Sequence, residues 1–205
     1  MKYITTLALF AIVTCSALVM AGDFETTSLG QKFADRNCTW CHGPSLQGYT
    51  TAPRLAGQKA AYIANQLLSF KTHARDNPLS QQVMWGAAVT VTPEIAHELG
   101  SYISMLDAEA ANDGRRDLED KGRAIYQVGD AASNIPSCVV CHGPEAQGTG
   151  AIPRLGGLSN RYLERRLEQW GEGYHASAVF PMPAVAGKLS ADDVKAIASY
   201  LSFVR

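Results

Sequence analysis

Residues 38–44 read Cys38-Thr39-Trp40-Cys41-His42-Gly43-Pro44, and residues 138–144 read Cys138-Val139-Val140-Cys141-His142-Gly143-Pro144. The same frame returns after 100 residues. Laying 38–57 on 138–157 without a gap gives 11 identities in 20 positions, including Gln47-Gly48 with Gln147-Gly148 and Pro53-Arg54-Leu55 with Pro153-Arg154-Leu155. Further on, Ile63, Leu67 and Phe70 match Leu163, Leu167 and Trp170, each trio on one face of a helix. The offset then becomes 98, so that Met84 falls on Met182, Thr92 on Ser190 and Tyr102 on Tyr200. Self-similarity over this span makes the chain two copies of one unit.

Each unit reads as helical, without period-2 alternation, so the fold class is all-α. A short helix near Leu29–Arg36 precedes the first cysteine pair, and its counterpart lies near Leu118–Val128. The last helix of each unit has a start signal: Thr92 before Pro93, and Ser190-Ala-Asp-Asp193 with capping-box spacing. Leu99, Tyr102, Ile103 and Leu106 then form one apolar stripe, and Val194, Ile197, Tyr200 and Leu201 the other. Gly30 and Gly122 suit a close crossing by these terminal helices, with Tyr102 and Tyr200 at the contact. The expected organisation is a cleaved segment over 1–21, domains over 22–106 and 118–205, and a polar linker over 107–117.

The leading segment reads as an export signal. Lys2 is followed by a mostly apolar run from Ile4 to Met20, and Val19-Met20-Ala21 places cleavage after Ala21. The alternative is an uncleaved anchor, since the run is long enough to span a bilayer. Lipidation at Cys15 is disfavoured because the apolar run continues past it. The expected location is the periplasm. With 18 Lys+Arg against 19 Asp+Glu, the chain lacks the positive charge that a phosphate backbone requires, so nucleic acid is excluded as a partner.

Two cysteines separated by two residues share one helical turn, from which both sulfurs reach one edge of a haem, and the histidine that follows is placed to ligate the iron. Zinc and a redox dithiol are the competing readings. Zinc would need four ligands per unit, and no second Cys or His pair accompanies either motif; a thioredoxin-like dithiol would need a βαβ setting. The expected cofactors are therefore two c-type haems, bound covalently by Cys38 and Cys41 and by Cys138 and Cys141, with His42 and His142 on the irons. Outside the leader the methionines are Met84, Met105 and Met182. Met84 and Met182 are equivalent, 42 and 40 residues after their histidines, and are the expected second axial ligands. Met105 has no counterpart and reads as core. His73, His97 and His175 also lack counterparts and read as surface or helix residues. A thioether is neutral and soft and raises the reduction potential. With His and Met both bound, no position is open to a substrate, which describes electron transfer.

The two C-x-x-C-H-G-P motifs, the two Pro-Arg-Leu-x-Gly stretches, both pre-helix methionines and Ile135-Pro-Ser-Cys138 carry a resemblance over the whole mature chain. It resembles the dihaem cytochromes c4, exported class I c-type cytochromes with two homologous domains. The resemblance implies two tandem cytochrome c-like helical domains, each enclosing one covalently attached haem, with the haems approaching across the domain interface. It also implies an electron carrier rather than an enzyme. Such a carrier would run between a membrane quinol-oxidising complex and a terminal oxidase, loosely associated with the membrane. By the same resemblance Pro53 and Pro153 offer their carbonyls to the ligand histidines, fixing tautomer and orientation. Arg54 and Arg154 are candidates for the haem propionates, with a solvated arginine as the alternative. Trp40 and Trp85 are expected to shield the first haem. Two rival functions remain open: a haem-bearing subunit of a larger dehydrogenase, and a dihaem peroxidase-type enzyme, which would need one iron with an open distal position.

Overall fold

The structure is a computed structural model that describes residues 27–49, 51–175 and 181–205. The expected leader over 1–21 lies outside the described residues. The first unit comprises α1 (Leu29–Asn37), α2 (Thr39–His42), α3 (Ala60–Lys71), a π-helical turn (Ser80–Met84) running into α4 (Trp85–Ala88), and α5 (Pro93–Ser104). The second repeats this order after a 3₁₀ turn (Arg116–Leu118): α6 (Glu119–Val128), α7 (Val139–His142), α8 (Asn160–Gly171), α9 (Met182–Ala186) and α10 (Ala191–Phe203). Among the described residues the only β features are the isolated bridges Asp130–Ile135 and Thr149–Ile152.

Local chemistry explains the helix starts. Ser28 accepts from the Gln31 N–H, and Thr92 accepts from the Ile95 N–H one residue before Pro93. At α10 the capping box is reciprocal: the Ser190 hydroxyl accepts from the Asp193 N–H while the Asp193 carboxylate accepts from the Ser190 N–H. These caps satisfy amide groups that the helices themselves leave free.

In each unit the first helix crosses the last, α1 on α5 and α6 on α10, and a glycine sits at each crossing. A Cβ on Gly30 would collide with the Glu98 carbonyl and lie 3.0 Å from the Tyr102 Cβ; one on Gly122 would collide with the Ala196 carbonyl and lie 2.7 Å from the Tyr200 Cβ. The colliding atoms are backbone and cannot swing aside. Helix propensity alone favours alanine over glycine by about 1 kcal/mol, so Gly122→Ala tests the contact by its sign. The expected result is a net loss of about 1–3 kcal/mol, the usual cost of overpacking, read from the denaturant midpoint of the holoprotein.

Behind these crossings lie the cores. Ala34, Leu46, Ile63, Leu99 and Ile103 are buried in the first unit, beside a second patch of Phe70, Ala88, Val91 and Ala96. Ile125, Tyr126, Leu163, Leu167, Val194, Ile197 and Leu201 fill the second unit. Met105, expected in the core, is instead 74% exposed. It is the C-cap residue of α5 and lies off the face of Leu99, Tyr102, Ile103 and Leu106, the last of which still packs on the core.

The polar stretch read as a linker is fastened along its length. Gln47 grips it from the first unit, donating to the Asp107 carbonyl at 2.8 Å and accepting from the Glu109 N–H at 3.2 Å. On the second unit the Ala111 N–H donates to Gly157 O at 3.1 Å and the Asn112 N–H to Ser202 O at 3.0 Å. Asp113 accepts from the Asn160 N–H at 2.8 Å. The segment is a strap across both units.

Candidate functional site

The two cysteine motifs fold alike. Cys38 and Cys138 stand at the start of α2 and α7, half-buried, while Cys41 and Cys141 lie exposed one turn on, and none of the four is in a disulfide. Burial, first among the causes, raises the Cys38 and Cys138 thiols to about 11. Tyr126 steadies the second motif from below, its hydroxyl donating to the Gly143 carbonyl at 2.6 Å.

His42 and His142, 7% and 6% exposed, close the two turns. Each Nδ1 lies against a proline carbonyl eleven residues on, Pro53 O at 2.7 Å and Pro153 O at 3.0 Å. A carbonyl only accepts, so Nδ1 carries the proton and Nε2 keeps its lone pair. Burial lowers both imidazoles below their ordinary value, which keeps them neutral, as a ligand must be. The loop that delivers the proline depends on backbone. The N–H of Gly48 donates to His42 O and that of Gly148 to His142 O, both at 2.8 Å, with φ of +82° and +67°. A Cβ at Gly48 would stand 2.6 Å from the carbonyl carbon of Pro53, and one at Gly148 would collide with Pro153. Only glycine permits both the left-handed turn and the close approach.

Met84 ends the π-helical turn and Met182 opens α9; both are half-buried. Met84 packs against the Phe70–Ala88–Val91–Ala96 patch of its unit, and Met182 against the core of the other. Beside Met84, Trp85 stacks on His73 with ring centroids 3.9 Å apart and donates its Nε1–H to Arg75 O at 2.9 Å. Trp40, expected to shield a haem, is 86% exposed.

The two matched arginines part company. Arg54 is buried and donates to three backbone carbonyls: those of Gly156 at 2.7 Å, Gly157 at 2.9 Å and Glu109. Burial, then the like charge of Arg154, push it down to about 10, so it remains charged at neutral pH. The solvated reading does not hold for so buried a side chain; Arg54 ties the first unit to the second and to the strap. Arg154 is half-buried and makes one long bond, from Nε to Gly156 O at 3.3 Å. Its backbone is held from the first unit by Gln58, which accepts from the Arg154 N–H at 2.8 Å and donates to the Arg154 carbonyl at 3.0 Å.

A polar cluster that the sequence reading passed over lies in the same interface. Arg75 donates to Gln66 at 2.6 Å and to the Tyr162 hydroxyl at 3.3 Å. Arg166 donates to Gln169 at 2.8 Å and lies 3.4 Å from His175 Nδ1. His175, expected at the surface or in a helix, lies in the turn after α8 and is 1% exposed. The repeat itself carried the signal: Gln66 aligns with Arg166, Arg75 with His175 and Tyr62 with Tyr162, all at the offset of 100.

These residues fit covalent haem. Each unit offers two thiols on one turn, an imidazole with its free nitrogen set by a carbonyl, and a half-buried thioether. Four buried donors, Arg54 Nε, Arg75 Nε, Trp170 Nε1 and His175 Nε2, also lack an acceptor from the protein. Among the described residues no three His, Cys, Asp or Glu side chains gather as a zinc site would need.

Comparison with known proteins agrees with this geometry. The family model for cytochrome c matches twice, over residues 27–107 and 119–204. The thiosulfate dehydrogenase electron acceptor of Stutzerimonas stutzeri is 34% identical over 94% of this chain and 90% of its own length. The reduced recombinant cytochrome c4 of Pseudomonas stutzeri superposes with a TM-score of 0.76 at 26% identity, covering 90% of this chain and all of that one. A thiosulfate dehydrogenase of Marichromatium purpuratum matches with a TM-score of 0.71 at 34% identity, over 80% of this chain and 36% of its own. The chain belongs to the cytochrome c family, as a two-domain, cytochrome c4-like electron carrier with covalently bound c-type haem.

Proposed function

We propose that His42 with Met84, and His142 with Met182, hold the two haem irons, and that the protein is a periplasmic shuttle for single electrons. The observation that carries this reading is the matched pair of His–Pro contacts, which leaves Nε2 of each histidine free in a buried, neutral ring. Bound haem supplies a one-electron couple, and the chain's residues set its conditions. The cysteines fix the group covalently, the prolines lock the histidine tautomers, and the methionines occupy the positions where a substrate would otherwise bind. Burial of each site limits how far water must reorganise when the charge changes. The expected mass of the acid-denatured, solvent-extracted holoprotein is that of the mature chain plus two haems. A gain of one or none would refute the assignment of the four cysteines.

The proposed donor is a membrane quinol-oxidising complex and the proposed acceptor a terminal oxidase, with export through the leader over 1–21. A second reading is favoured by the likeness to a thiosulfate dehydrogenase electron acceptor and to part of a thiosulfate dehydrogenase chain. It makes the donor a soluble enzyme that oxidises an inorganic sulfur compound. Stopped-flow reduction of the oxidised holoprotein separates the two. Rapid reduction by thiosulfate dehydrogenase with thiosulfate, and slow reduction by the quinol-oxidising complex, is the outcome expected of the second reading. The reverse order supports the first.

A further inference from the structure

The two units join their first helix to the cysteine motif in different ways. In the first, α1 runs into the motif without a break: Cys38 is the C-cap of α1, and its N–H donates to Ala34 O at 2.8 Å. The Thr39 hydroxyl adds a second tie, to Asp35 O at 2.8 Å. In the second unit the repeat offset is 92 at Gly30 and Gly122 but 100 at the cysteines, so eight extra residues separate α6 from the motif. The chain leaves α6 at Gly129 and turns back through the Asp130–Ile135 bridge. Helix continuity is lost, and Val139, which stands where the first unit has Thr39, has no hydroxyl to donate. The Cys138 N–H nevertheless reaches Tyr126 O at 2.9 Å, and Tyr126 aligns with Ala34 at the offset of 92. Together with the Ser137 hydroxyl, which donates to Gln127 O at 2.7 Å, this bond fastens the entry of the turn.

The exit of the turn is held by a side chain. Tyr126 is fully buried, and its hydroxyl donates to the Gly143 carbonyl at 2.6 Å. Gly143 follows His142 directly, so one residue grips the chain on both sides of the histidine. Other bonds at the exit are common to both units: Gly43 O accepts from the Leu46 N–H at 3.0 Å, and Gly143 O from the Ala146 N–H at 3.1 Å. The tyrosine bond is the addition, since Ala34 ends at a methyl group. A helical turn of four residues does not hold itself and takes its order from what surrounds it. We propose that Tyr126 is a positioning residue for His142, its hydroxyl replacing the restraint that helix continuity and Thr39 give His42. The two histidines then rest on separate ties, and either redox centre can be altered through its own tie without the other. The proposal rests on reading His142 and Met182 as the ligands of the second haem.

Tyr126→Phe tests this, because it keeps the ring and its contact with Tyr200, at 5.6 Å between centroids, and removes the hydroxyl alone. The readout is the iron–histidine stretching band, seen by resonance Raman in a ferrous haem that has lost its methionine. In holoprotein carrying Met182→Ala, adding Tyr126→Phe should shift and broaden the band of the opened haem. In holoprotein carrying Met84→Ala it should leave the band unchanged, and there Thr39→Val should move it instead. A role in stability alone would lower the denaturant midpoint and leave both bands in place. An unchanged band at the second haem after Tyr126→Phe, or a like change at the first, overturns the proposal. If the double variants do not fold, ferric holoprotein carrying Tyr126→Phe alone decides by NMR. Hyperfine-shifted haem methyl signals displaced for one haem support the proposal, and signals displaced for both or for neither overturn it. A Met182→Ala haem that binds no carbon monoxide, or shows no iron–histidine band, refutes the ligand reading and the proposal with it.

Discussion

Carbon monoxide should bind one haem of the Met84→Ala protein and one of the Met182→Ala protein, and neither haem of the unsubstituted protein. The change is all-or-none at each centre. A six-coordinate ferrous iron with a soft thioether in place offers no site to a neutral ligand, whereas alanine cannot reach the metal at all. Met105→Ala is the internal comparison: Met105 is 74% exposed at the end of α5 and should leave both haems closed. Each core substitution should also lower the reduction potential of its own haem, because the thioether favours the ferrous state. The measurements are CO titration of the dithionite-reduced proteins and the near-red ferric band of the Met–iron bond. Stoichiometric CO binding to the native protein would restore the peroxidase-type reading. Opening by Met105→Ala would show that the equivalence of Met84 with Met182 had misled.

That equivalence shows what the sequence made readable. Everything carried by the repeat or by local chemistry was on its surface: the all-helical class, the two units, the capping residues Ser190 and Asp193, and the glycines at the helix crossings. Repetition gives each assignment a second, independent copy. Features that exist only between the copies had no such support. Arg54 and Arg154 are identical in sequence context, so the pattern gave them one role, but only Arg54 bonds the other unit through its side chain, while Arg154 is held across the interface by its backbone. His175 lacked a histidine partner and was read as a surface or helix residue; its counterpart at the offset of 100 is Arg75, a different chemistry at the same position of the repeat. Met105 failed for a more local reason. It lies between Ile103 and Leu106, which both reach the core, but at the helix end its own side chain falls on the exposed side.

Pseudo-symmetry also explains why the sequence shows the linker but not what fastens it. Asp107 to Asp117 has the composition of a tether, and nothing in it repeats. Its order comes from partners far away in sequence: Gln47 on one side, Gly157 and Ser202 on the other. The strap, Arg54 and Gln58 together hold the interface in which the buried cluster sits. Any loosening of the strap would therefore expose Arg75 and Arg166 to water.

Arg54→Ala should destabilise the protein by about 2–4 kcal/mol and divide its unfolding into two transitions. Hydrogen bonds from a charged group contribute about 1.5–3 kcal/mol each, and Arg54 makes three, but neighbouring contributions do not add. Two considerations reduce the sum further. Removing the guanidinium also removes its burial cost and its repulsion from Arg154, which together push its pKa down. A cavity of about 310 Å³, lined by Gln47, Arg54, Glu109 and Gly157, also adjoins the site, so water can reach some of the abandoned carbonyls. What water cannot replace is the connection. The bonds to Gly156 and Gly157 start in one domain and end in the other, so their loss falls on the coupling between domains rather than on either core. Arg154→Ala sets the scale: its single 3.3 Å bond stays within its own domain, and the expected change is within about 0.5 kcal/mol. Denaturant unfolding of the holoproteins, followed by helical circular dichroism and by haem absorption, reads both quantities. Coincident single transitions for Arg54→Ala, or equal losses for the two arginines, would show that Arg54 does not join the domains.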